Sequence, residues 1–163
     1  MSINAGIDIS HQVDVIYSLL NILRKNNPAL AKWANPVLKL ACRKLEVFAV
    51  PSVSVEAANR AAGDGVPGDL SDYCWEDHVK DKKMRDKGRK IFHWDHVYPV
   101  SQMVQALKGI NPLDKSEIER VARLTAVAWI LKCENTVLDL KGYRSNRPSD
   151  PLEAYKECGI ELV

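Results

Sequence analysis

Proline placement constrains this chain more than any other feature. A proline has no backbone N–H to give to a helix or a sheet, so it stands where an element starts or stops. Asn27-Pro28, Asn35-Pro36 and Asp150-Pro151 each put a capping side chain directly before a proline, the pattern of an N-cap followed by the first helical residue. Pro99 ends the run KIFHWDHVYP (90–99). These marks divide residues 10–48 into short helices. Ser10 caps the first, with Val13, Ile16, Tyr17, Leu20 and Leu23 on one face. A second starts at Asn27-Pro28. A third, from Asn35-Pro36, turns Val37, Leu38, Ala41, Leu45 and Phe48 inward.

Beyond them, Val50, Val53 and Val55 suggest a short strand, and an Ala-rich helix follows as far as Gly63. GDGVPGDL (63–70) is the clearest loop and marks a boundary between a helical region, 1–66, and a second region, 67–163. Ser71 is the expected cap of a helix running through Lys87, with Gly88 at its C-terminal cap. Residues 90–99 read as a strand ending in a turn. Asp114 with Glu117 starts a long helix (114–131) whose apolar face carries Ile118, Val121, Ala122, Thr125 and Ala128. TVLDL (136–140) reads as a second strand, 142–149 as a loop, and Asp150-Pro151 as the start of a last helix ending at Gly159. Trp33, Trp75 and Trp129 fall on expected helices and are assigned to the core. Strand alternation sends Trp94 into the core, opposite Asp95. His78 is read as a surface or capping residue and His11 as a first-turn residue.

Composition narrows the class. With 163 residues, 46% hydrophobic and 27% charged, the chain is globular and long enough to bury a core without disulfide staples. A net charge of +2 excludes a protein that coats nucleic acid over its whole surface, but it allows local basic patches. Cys42, Cys74, Cys133 and Cys158 contain no CxxC pair, so neither a structural zinc nor a thioredoxin-like site is expected. Free thiols, an N-terminus without signal-peptide character and no long apolar run lead to the expectation of a cytoplasmic chain with no membrane partner.

Chemistry concentrates in FHWDHVYPVS (92–101). On a strand, His93 and Asp95 share one face and His96 takes the other. A carboxylate next to an imidazole suits metal-assisted hydrolysis: the carboxylate holds a hard cation and the imidazole accepts a proton from water near neutral pH. The run KDKKMRDKGRK (80–90), with seven basic residues against two acidic, ends just before this strand. Lys82, Lys83, Lys87, Arg89 and Lys90 read either as a phosphate-binding stripe or as a solvated helix face.

Asp95-His96-x-x-Pro99, then Asn135-x-x-Leu138, then Asn146-Arg147 resembles the HNH endonucleases, and within them the variants that use Asn as the last metal ligand. The resemblance covers roughly residues 90–155. It implies an α+β protein in which the N-terminal helical region packs on a ββα-metal core. It also implies His96 as general base, Asp95 and Asn146 as metal ligands, and Asn135 as the residue that holds the base-bearing loop. His93, Arg144 and Arg147 join the basic stripe as contacts to DNA. The implied cofactor is one divalent ion, Mg²⁺ or Mn²⁺. Asp95 and Asn135 lie 40 positions apart, so helix 114–131 must fold outside the core, and Pro148 interrupts the segment after Asn146. A single such site cuts one strand, so double-strand cleavage takes a homodimer or two events. Two other readings stay open: a nucleic-acid-binding protein without catalysis, and an interaction domain in which the motif is accidental.

Overall fold

A computed structural model describes residues 3–80 and 83–163, with the side chain of Lys80 left aside. Among the described residues it is an α+β fold of eight α-helices around a three-stranded sheet.

Helix α1 (Ser10–Leu23) begins one residue earlier than expected. Ser10 lies inside it, and the carboxylate of Asp8 accepts the Ser10 backbone N–H at 2.9 Å. Asn27 caps α2 (Pro28–Lys44) as expected, accepting from the N–H groups of Ala29 and Leu30. Pro36 does not open a third helix, because α2 runs straight through it. An interior proline costs about 3 kcal/mol. Burial offsets that here: Ala34, Leu38 and Cys42 are buried on the face that packs on α1. Trp33, assigned to the core, is 55% exposed on the opposite side. A 3₁₀ turn, Leu45–Phe48, continues α2.

Strand β1 (Ser52–Val53) leads into α3 (Val55–Gly63), which Ser54 caps through the Ala57 N–H. The expected helix from Ser71 to Lys87 is replaced by a 3₁₀ turn at Leu70–Asp72, the short helix α4 (Trp75–Lys80) and an irregular segment at 83–91. Asp86 is the physical reason. Its carboxylate takes the backbone N–H groups of Lys90, Ile91 and Phe92 at 2.7, 3.0 and 2.9 Å, a local alternative to helix bonding. Gly88, at φ +76°, turns within this loop rather than capping a helix. His78 is not a surface residue. It is 1% exposed, donates Nε2–H to Asp86 at 2.8 Å, and is edge-packed on Trp75 and Trp129.

Strand β2 (Phe92–His96) follows, then α5 (Val100–Gly109) and α6 (Lys115–Ala122), the latter capped by Asp114 as expected. The long helix divides here. Thr125 Oγ1 bonds the Ala122 carbonyl at 2.8 Å, and VAWIL forms β3 (Val127–Leu131). A run of β-branched and aromatic residues buried on both faces suits a central strand. TVLDL is correspondingly helical, within α7 (Lys132–Leu140), where the Glu134 carboxylate accepts the Leu131 N–H at 2.7 Å. Asp150 and Pro151 start α8 (Pro151–Glu157) as expected.

The sheet order is β1-β3-β2, parallel between β1 and β3 and antiparallel between β3 and β2, with Asp95 opposite Ala128 and His96 opposite Val127. The chain's end is tied in as well, since Val53 and Val163 exchange backbone bonds at 3.0 and 2.9 Å. One apolar cluster joins α1 and α2 to α5 and α6. A second packs α3, Trp94 and Trp129 on one face of the sheet, and a third packs Leu138 and Tyr155 on the other. Trp94 and Trp129 are both core residues, Trp129 from a strand rather than a helix. All four cysteines are free thiols, and burial pushes Cys42 up to about 12.

Candidate active site

β2 is an edge strand, and its free edge borders a groove of about 500 Å³. Four consecutive residues, His93 to His96, line this groove, so it draws side chains from both faces of the sheet. On one face His93 and Asp95 meet Asn135 and Asp139, which stand one turn apart on α7. On the other, Trp94 and His96 turn toward Glu46 in the 3₁₀ turn after α2.

Asp95 is nearly buried and is held from behind. Arg147 Nη2 donates to its Oδ2 at 2.7 Å, and the hydroxyl of Tyr155 donates to the same oxygen. Oδ1 takes no part in this network. Arg147 is 5% exposed, and its remaining N–H groups bond the carbonyls of His96 (3.0 Å), Val97 (2.9 Å) and Tyr143 (3.1 Å). Burial works against the Arg147 charge, but Asp95 and Tyr155 together outweigh it and raise the guanidinium above its ordinary value. Burial and the neighbouring Asp95 together push the Tyr155 hydroxyl well upward. The hydrogen bonds that hold the main chain at the end of β2 come from Arg147. Asn135, expected to hold the base-bearing loop, makes no hydrogen bond to it among the described residues. Arg147 in turn has no free edge for a phosphate.

His96 Nε2 is buried 3.2 Å from Glu46 Oε2, within ion-pair reach but off the line of a full hydrogen bond. The Trp94 indole N–H holds the same Glu46 oxygen at 3.0 Å. Burial would raise the Glu46 carboxyl; the contacts with His96 and Trp94, and the charge of Lys44, outweigh it and hold the carboxyl below the usual range. Burial lowers His93, against the pull of the Asp95 and Asp139 carboxylates.

The basic residues divide between two places. Arg144 is exposed on the groove's lip. Lys39 and Arg43, one turn apart on α2, form the facing wall. Lys83, Lys87, Arg89 and Lys90 are exposed outside the groove, with Arg89 lying 5.4 Å over the ring of Trp75, which lines it. Lys82 lies outside the described residues. Asn146 is exposed and does not line the groove.

From the sequence, Lys39 and Arg43 read as scattered charges on a helical scaffold, and Glu46, Asp139 and Tyr155 carry no assignment. One signal was available: Glu46 is the sole acid between Asp14 and Glu56.

Among the described residues no three His, Cys, Asp or Glu side chains group closely enough to hold a metal unaided. The Asp95, Asp139 and Asn135 oxygens are hard donors. They fit an ion such as Mg²⁺, which takes one or two carboxylates and completes its shell with water and substrate phosphate. Among the described residues no helix is long and apolar enough to cross a membrane. Compared with known proteins, the chain matches no family model, no curated protein and no solved structure.

Proposed function

We propose that the protein is a divalent-metal-dependent endonuclease acting on DNA, with its active site in the groove along β2. The observation that carries this reading is the convergence of His96, Asp95, Asn135 and Asp139 in one groove whose lips bear Lys39, Arg43 and Arg144. The order β2, β3, α7, two antiparallel strands and then a helix, suits the ββα arrangement that the sequence resemblance implies, with α5 and α6 as an insertion between the strands.

In this reading Lys39, Arg43 and Arg144 bind phosphates on either side of the scissile bond. Asp95, with Asn135 and Asp139 from α7, would hold the cation, in place of the Asn146 expected from the sequence. Mg²⁺ there would supply charge stabilisation to the phosphate and the departing 3′ oxygen. His96 accepts a proton from the attacking water. Arg147 fixes the strand end, so that the carboxylate of Asp95 and the imidazole of His96 border the same groove from opposite faces of β2.

Nicking of supercoiled plasmid in Mg²⁺ tests the proposal. His96→Ala should reduce the rate by about 10²–10⁴-fold, and unchanged nicking by that variant would overturn it. A second reading, DNA binding without cleavage, is favoured by the neutralisation of Asp95 through Arg147 and Tyr155. Salt-sensitive DNA binding by a wild-type protein that never nicks would select it.

A further inference from the structure

Glu46 belongs to the region that the resemblance leaves uncovered, yet it is the acidic side chain nearest the imidazole of His96. It is 6% exposed and lies 3.2 Å from Nε2. A buried carboxylate needs partners. This one has the Trp94 indole N–H at 3.0 Å and Lys44 Nζ at 3.9 Å, neither of which pairs its charge at close range. Nε2 of His96 is the atom that completes the arrangement: it is buried, and it has no aligned hydrogen-bond partner of its own. Glu46 Oε2, at 3.2 Å, is the acceptor within reach of that nitrogen.

We propose that Glu46 is the positioning residue of His96. It places the ring proton on Nε2 and turns the Nδ1 lone pair toward the groove. The inference rests on the nuclease reading for its functional meaning. In the proton transfer, the water O–H bond breaks, its proton goes to Nδ1, and the Nε2–H remains shared with the Glu46 carboxylate. Trp94 fixes the carboxylate, so the device spans the turn after α2 and two residues of β2.

Two readouts test it. The first is the tautomer of His96 in the full chain, read by long-range ¹H–¹⁵N NMR correlation without metal or DNA. The Nε2–H form should dominate in the wild type. Glu46→Leu should lose that preference, and Glu46→Gln, which keeps a carbonyl acceptor, should retain most of it. The second is plasmid nicking, in which Glu46→Leu should lower kcat about 10- to 100-fold with KM nearly unchanged. A wild-type His96 in the Nδ1–H form would overturn the proposal, as would a Glu46→Leu protein with an unaltered tautomer. Should Glu46→Leu fail to fold, Trp94→Phe removes only the indole donor and should weaken the same tautomer signal; an unaltered signal there would also count against the proposal. A wild type with the expected tautomer but no nicking would overturn the nuclease reading and leave the Glu46–His96 pairing standing.

Discussion

Arg147 Nη1 donates to the backbone carbonyl of His96 at 3.0 Å, while Nη2 of the same guanidinium holds the side chain of the preceding residue, Asp95. One buried cation therefore fixes the main chain of one proposed catalytic residue and the carboxylate of the other. Removing it would leave Asp95 buried and unpaired. Arg147→Ala should destabilise the fold by about 3–5 kcal/mol, read by urea unfolding, with activity lost through disorder of the strand end. Arg147→Lys should recover only part of the stability, because an ammonium cannot reproduce the planar fork. A variant as stable as wild type would show that the network does not hold the strand.

The buried pair of His78 and Asp86 gives a pH prediction. Burial would raise the Asp86 carboxyl, but His78 and the N–H groups of Phe92, Ile91 and Lys90 hold it below the usual range. A depressed carboxylate stabilises the fold fully above its unfolded pKa of about 3.9, and that stabilisation disappears as pH falls through the folded value. Asp86→Asn puts an amide where backbone N–H groups need an acceptor. It should cost about 1–3 kcal/mol near neutral pH, and the difference from wild type should shrink below pH 4. Thermal unfolding of both proteins from pH 2 to 7 measures it; a constant difference across that range would refute it.

The two basic regions separate by salt. Replacing Lys39, Arg43 and Arg144 with Gln should lower the slope of log affinity against log salt by roughly one unit per lost phosphate contact. The same change at Lys83, Lys87, Arg89 and Lys90 should alter it less, since those side chains lie outside the groove. Fluorescence-anisotropy titrations of a short duplex at several salt concentrations decide which surface binds; the reverse ranking would move the interface to the loop before β2.

Ligand placement is read by two alanine variants assayed across Mg²⁺ concentrations. Asn135→Ala should require more Mg²⁺ for half-maximal nicking, and Asn146→Ala should be near wild type. An inactive Asn146→Ala beside an active Asn135→Ala would return the ligand to the loop after α7.

Much of the framework was legible. Asn27, Asp114 and Asp150 cap the helices assigned to them, because an Asx side chain before Pro or upstream of Glu makes a local bond that needs no tertiary help. The Phe92–His96 strand and the burial of Trp94 followed from alternation. The failures share a cause. VAWIL and TVLDL exchanged types because each is a short apolar run with no intrinsic period, and only the sheet on either side of β3 decides between them. Pro36 fits inside a helix because burial of Leu38 and its neighbours outweighs a local penalty. Lys39 reaches the groove by the packing of α2, which no pattern in its own vicinity encodes, and Glu46 is marked only by its isolation among the acids from Asp14 to Glu56.

The chain leaves the sheet at the end of β2, makes α5 and α6, and returns as β3. α1 and α2 pack on that excursion rather than on the sheet. The spacing between the groove's cationic wall and its acidic floor is therefore set at a seam, α2 against α5, where neither wall nor floor contributes a side chain to the buried contact. A drift in side-chain volume at Leu38 or Leu107 would widen or narrow the opening while leaving every groove residue in place. Selection on what the groove admits can thus act on greasy positions with no chemistry of their own.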